Sequence, residues 1–142
     1  MRLGGKVAIV TGGARHIGAA YCRRLAAEGA AVLIADVLGG DGVVKEIAAA
    51  GGKAIALKVD VSREEDTERI AVEAVQAFGR IDILVNNAAI FLNIQRHPFY
   101  EISAEEWDRV SAVNIKGPFL CAKAVFPQMK QQCNGKIINI SS

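Results

Sequence analysis

The chain has 142 residues, one domain's worth, with 51% apolar residues, 23% charged residues and a net charge of +2. The charges are spread along it, so no basic stripe points to nucleic acid and no acidic tail points to disorder; 6% aromatic content implies an aliphatic, alanine-rich core. The first apolar run stops at Val10, too short for a signal peptide or membrane anchor. Cys22, Cys121 and Cys133 form no CxxC pair and no His-Cys cluster, which predicts free thiols in a reducing, cytoplasmic setting and no metal site.

In chain order, strand and helix alternate. A first strand is expected near Lys6 to Thr11, on the β-branched run Val7 to Val10. It breaks at Thr11-Gly12-Gly13, and a helix follows from about Ile17 to Glu28, closed by Gly29. Strand, glycine turn and helix let a backbone approach a phosphate: glycines carry no Cβ, and the helix N-terminus offers unpaired N–H groups and partial positive charge. A triphosphate loop would need Lys and then Ser or Thr after its last glycine, but Gly18 is followed by Ala19 and Ala20. A dinucleotide fold instead predicts a second strand ending in an acid about 20 residues on. Ala31 to Ala35 supply that strand and Asp36 ends it, with Val37 beside it. A carboxylate there accepts hydrogen bonds from an adenosine ribose and repels a 2′-phosphate, which favours NAD over NADP.

A glycine turn (Gly39, Gly40, Gly42) leads to a helix over Val43 to Ala50, closed by Gly51-Gly52. The third strand is Ala54 to Val59, ending at Asp60. Ser62 and Glu65 read as a capping box for a helix running to Phe78, stopped by Gly79. The fourth strand, Ile81 to Val85, ends in Asn86-Asn87-Ala88-Ala89. After a loop, Ile90 to Ile102, a second capping box (Ser103, Glu106) opens a helix through Trp107 and Val110. Gly117-Pro118 bends or restarts it, and the rest runs to about Gln132. Asn134-Gly135 turns the chain into a fifth strand, Lys136 to Ile140, ending at Ser141-Ser142. Strands joined by crossover helices make a doubly wound parallel α/β sheet in a single domain spanning 1–142. Ligands on such a sheet bind beyond the carboxyl ends of the strands, where Gly12, Asp36, Asp60, Asn86 to Ala89 and Ser141-Ser142 gather.

These motifs together resemble the short-chain dehydrogenase/reductase family over the whole chain. Thr11-Gly-Gly-Ala-Arg-His-Ile-Gly18 resembles its coenzyme loop, Asp60-Val61 its adenine-contacting pair, and Asn86-Asn87-Ala88-Ala89 its N-N-A-G turn. The resemblance implies that Thr11, Gly12, Arg15, His16, Ile17, Gly18, Asp36, Val37, Asp60, Val61, Asn87, Ala88 and Ala89 bind the coenzyme. It implies catalytic roles for Asn114, as a helix-bending residue that holds a water, and for Ser142, as a donor to the substrate oxygen. His16 stands where the family has a glycine and carries a modest cost if φ is positive there. Ala89 replaces another glycine. Arg15 can serve a 2′-phosphate in the family, but Asp36 argues for NAD.

The family's catalytic Tyr-x-x-x-Lys, where a nearby lysine lowers the tyrosine pKa, is not present. Leu25 lies four positions after Tyr21 and Ala104 four after Tyr100. Three readings follow: the coenzyme-binding part of an NAD-dependent oxidoreductase acting on a secondary alcohol or ketone, a non-catalytic nucleotide-binding module, or one piece of a complemented assembly. As it stands the chain is expected to be incomplete at its C-terminus and inactive alone. The resembling enzymes form dimers or tetramers. Lys136 to Ile140 would be an exposed apolar edge strand, and Leu120, Val125, Phe126 and Met129 would lack cover. His97 is expected to be an exposed loop residue. Ile90, Phe91 and Leu92 could line an apolar pocket or pack under the next helix, and Trp107 and Phe119 are expected in the core.

Overall fold

Five parallel strands carry the fold: β1 (Val7–Thr11), β2 (Ala31–Asp36), β3 (Lys53–Lys58), β4 (Ile83–Asn86) and β5 (Lys136–Asn139), in the order β3-β2-β1-β4-β5. The computed structural model describes residues 1–91, 94 and 96–141. β1 is buried along its whole length, because helices cover both faces of a parallel sheet and a central strand must be apolar on each. α1 (His16–Ala27) and α2 (Asp41–Ala49) pack on one face through Ala19, Cys22, Ala26, Val43 and Ile47. The other face is covered by α3 (Glu64–Phe78) and α5 (Gly117–Gln131), through Ile70, Ala74, Cys121, Val125 and Met129. Spacings of three and four place these side chains on one stripe of each helix.

The helix ends show where local chemistry agrees with the expectation and where it does not. Gly79 ends α3 in the left-handed conformation, at φ 80°, as a terminal glycine does. Ser103 caps α4 (Ala104–Ser111) by accepting from the Glu106 N–H at 3.1 Å. Ser62 does not cap α3. Asp60 Oδ1 takes both the Ser62 N–H (2.9 Å) and its hydroxyl (2.7 Å), and the helix starts one residue later with Arg63 uncapped. The turn after β3 thus outcompetes the box. The irregularity expected at Gly117-Pro118 lies earlier, as a π-helical turn over Ala112–Lys116. Pro118 occupies the first turn of α5, where a missing N–H costs little, and α5 continues through Pro127.

Three expectations about packing are corrected. Leu120, Val125 and Met129 are buried, because α3 and the sheet cover them, and only Phe126 of that set is exposed. Trp107 and Phe119 are exposed at 63% each: α4 buries none of its residues, and the buried stripe of α5 falls on Gly117, Leu120 and Cys121 instead of Phe119. His97 is half-buried, with Nε2 3.4 Å from Glu106 Oε2. β5 is exposed along its length and forms the sheet edge beside β4, as expected.

Candidate functional site

Strand order reverses between β1 and β4: the chain builds outward to β2 and β3, then returns to the other side. At such a point the crossover helices diverge and leave a crevice beyond the strand ends. A cleft of about 460 Å³ lies there, lined by Gly12, Arg15, Asp36, Val37, Asp60, Val61, Ala88 and Ala89, together with Ile90, Arg109, Ala112 and Val113. Residues from four strand ends, far apart in sequence, thus share one wall.

Gly12 has φ +65°, and a Cβ there would stand 2.8 Å from the Ala88 Cα, so this turn admits only glycine without strain. A Cβ on Gly18 would overlap the Gly12 carbonyl oxygen and come 2.7 Å from Asn87 Nδ2. Gly18 therefore lets α1 press against the turn rather than contacting the cleft. His16 adopts φ 49°, the positive value its glycine-like position demands. His16 and Ile17 lie exposed on the first turn of α1, outside the cleft wall. The N-cap residue of that helix, Arg15, makes no side-chain capping bond, so the first-turn N–H groups stay available. Beneath the turn, Cys22 is buried, and burial pushes its thiol up to about 12, so it packs as a neutral group.

The β1 and β4 ends are locked together by two side chains, Thr11 and Asn87. The buried Thr11 Oγ1 accepts the N–H groups of Asn87 and Ala88, each at 3.1 Å, and donates to the Val85 carbonyl at 3.4 Å. Asn87 Nδ2 donates to the carbonyls of Thr11 (3.0 Å) and Gly12 (3.1 Å). The geometry gives Thr11 and Asn87 the task of holding the wall; neither lines the cleft. Asn86, which sequence reasoning treated only as part of the turn, donates to Asn139 Oδ1 at 2.9 Å and ties β4 to β5.

Asp36 Oδ2 accepts the Ala14 N–H at 3.0 Å and Oδ1 the Leu38 N–H at 2.9 Å, which fixes the carboxylate at the mouth of the glycine turn. Each oxygen keeps a second lone pair for a ligand. Asp60 is set by Ser62, and the Asp60 N–H donates to Asp66 Oδ2 at 2.8 Å. Asn114 sits on the π turn outside the cleft, and its amide clamps Ile90: Oδ1 accepts the Ile90 N–H at 2.8 Å and Nδ2 donates to its carbonyl at 3.1 Å. It therefore fixes the chain as it leaves Ala88-Ala89. Ile90 lines the cleft and Phe91 is exposed, while Leu92 and Ser142 lie outside the described residues. Arg109 and Val113 were missed. Their signal was the i, i+4 spacing that puts them on one face, next to Asn114. Among the described residues no cluster of His, Cys, Asp and Glu could hold a metal.

The family model for short chain dehydrogenases matches residues 6–142. The chain is 45% identical over 145 residues to the 2,5-dichloro-2,5-cyclohexadiene-1,4-diol dehydrogenase LinX of Sphingobium indicum, covering 99% of this chain and 56% of that protein. It is 40% identical over 144 residues to glucose 1-dehydrogenase 2 of Bacillus subtilis, covering 99% and 55% respectively. Among solved structures, a metagenomic short-chain oxidoreductase in complex with NADP matches with a TM-score of 0.90 at 41% identity, over 100% of this chain and 64% of that one. The chain spans about half the length of the curated relatives it matches.

Proposed function

The chain belongs to the short-chain dehydrogenase family, and from that premise we propose that it binds NAD and serves hydride transfer between a nicotinamide and a secondary alcohol or ketone. The observation that supports this most is the convergence of Gly12, Asp36, Asp60 and Ala88 on one cleft at the switch point of the sheet. The residues fit the coenzyme. The uncapped start of α1 offers N–H groups and a positive dipole end to a pyrophosphate. Asp36 accepts from the ribose hydroxyls, and Asp60 with Val61 receives the adenine. Ala88 and Ala89, held by Thr11 and Asn87, form the wall against the second ribose.

When bound, the nicotinamide supplies the hydride chemistry. The chain's own residues orient it: Asn114 fixes Ile90 and hence the Ala88-Ala89 turn, and Ser142 donates to the substrate oxygen. Neither tyrosine of the sequence is followed four positions later by lysine, so the side chains of these 142 residues bind and orient but lack the family's proton-transferring pair. NAD is preferred over NADP because the fixed Asp36 carboxylate would face a 2′-phosphate at close range. One exposed Arg15 recovers less than that repulsion costs.

The same reading extends to assembly and location. Trp107, Ile115, Phe119 and Phe126 are exposed by 57–68% along α4, the π turn and α5, a stripe that a second copy of the chain would cover. A cytoplasmic setting fits the three free thiols. No described helix is long and apolar enough to cross a membrane. Titration of the purified protein with NADH and NADPH, followed by nucleotide fluorescence, tests the proposal. NADH should bind more tightly, and a well-folded sample that binds neither would refute it.

A further inference from the structure

Six arginines of the chain hold a carboxylate: Arg2, Arg23, Arg24, Arg63, Arg69 and Arg80. The two that line the cleft, Arg15 and Arg109, make no ion pair among the described residues. Arg15 has an account in the glycine turn. Arg109 lies on α4, across the cleft lining from that turn. Glu105 stands four residues before it on α4, the spacing and order that favour a pair on a helix surface. That pair is not formed, and Glu106, three residues before Arg109, faces His97 instead. Arg109 is exposed and lines the cleft, on the wall it shares with Val61, Ala112 and Val113.

A planar guanidinium is weakly hydrated and stacks on aromatic faces, while its methylene stem covers apolar surface. We propose that Arg109 is a specificity-determining contact for the purine: it lies over the face of the adenine and closes that end of the cleft, with Val61 and Val113 as its apolar partners. This rests on the reading that the cleft takes an adenine dinucleotide. Because NAD and NADP share the adenine, the contact serves both equally and is independent of the selection made by Asp36.

The test compares wild type with Arg109→Ala and Arg109→Lys, after thermal unfolding has shown that all three are folded. Arg109→Ala should weaken ADP-ribose binding, measured by calorimetry, about 5–30-fold. NADH and NADPH should lose the same factor, and reduced nicotinamide mononucleotide, which has no adenine, should lose nothing. Arg109→Lys keeps the charge but not the plane and should recover only part. An unchanged ADP-ribose affinity overturns the proposal. So does a loss confined to NADPH, which would make Arg109 a phosphate contact, a loss shared by the mononucleotide, which would mean a distorted cleft, or full rescue by lysine. If wild type binds neither coenzyme, the dinucleotide reading itself fails and takes this proposal with it; if wild type binds and Arg109→Ala binds equally, only this proposal fails.

Discussion

The two ends of the sheet treat a carboxylate in opposite ways. At the amino end, Asp82 precedes β4 and is 4% exposed. It accepts from Arg80 twice at 2.7 Å, from Lys6 at 3.2 Å and from the Val7 N–H at 3.0 Å. At the carboxyl end, Asp36 accepts only two backbone N–H groups and faces a cleft. Asp82 is saturated by its own protein, so its chemistry is used up in joining β1 to β4. Asp36 is held in place but left with lone pairs to spare, which is the condition for meeting a ligand. Charge alone does not separate structure from function here; unspent hydrogen-bonding capacity does.

The comparison can be tested by substitutions at each end. The largest effect is expected from Gly18→Ala, which forces α1 away from the Gly12 turn. It should cost about 2–3 kcal/mol of stability, read from urea unfolding, and lower NADH affinity by about 100-fold or more. A bound coenzyme unaffected by this change would separate the cleft from the glycine turn. Asp82→Asn should cost about 2–3 kcal/mol and leave coenzyme affinity within about twofold of wild type. If affinity fell as far as stability, the two ends would not be independent.

The pH dependence sharpens the same contrast. Burial alone would raise the Asp82 pKa, but the bonds from Arg80, the Val7 N–H and Lys6 outweigh it and hold the carboxyl below its usual value. A depressed folded-state pKa gives stability that is present above the unfolded pKa of about 4 and is lost as pH falls through the folded one. Thermal melts of wild type should therefore weaken below about pH 4, and those of Asp82→Asn should lack that component. Asp36→Ala should instead leave the melting curve within about 1 kcal/mol and shift the NADPH-to-NADH affinity ratio about tenfold upward. Last in size, Ser103→Ala removes one helix cap and should cost about 1 kcal/mol with no change in coenzyme binding.

How far the sequence could be read follows from the range of each interaction. The strand–glycine–helix passage from Val7 to Gly18 and the acid at Asp36 were legible because their signals are local. The positions of Asp60 and Ala88 in the same cleft followed from the rule that strand ends gather. What escaped depends on partners far along the chain. Asp82 gains its role from Lys6, 76 residues away, and nothing near it in sequence announces that. Ser62 looked like a cap because the pattern ignores competition from Asp60 two residues earlier. Trp107 and Phe119 looked like core residues by composition, but α4 buries none of its residues and α5 buries Leu120 and Cys121 beside Phe119, which leaves both exposed. Arg109 escaped for the reverse reason: its spacing to Val113 was a signal, but an Arg four residues after Glu105 also reads as a surface pair.

One feature of the far end of α5 reaches beyond binding. Gln132 acts toward Ile81 as a neighbouring peptide group would: its Nε2 donates to the Ile81 carbonyl at 2.7 Å and its Oε1 accepts the Ile81 N–H at 3.0 Å. A side-chain amide thus stands in for a missing strand where the chain enters β4. The proton on the Ile81 nitrogen is consequently a clock for α5. It trades with deuterium when the bond to Gln132 opens, so its exchange rate reports how firmly that end of α5 stays docked.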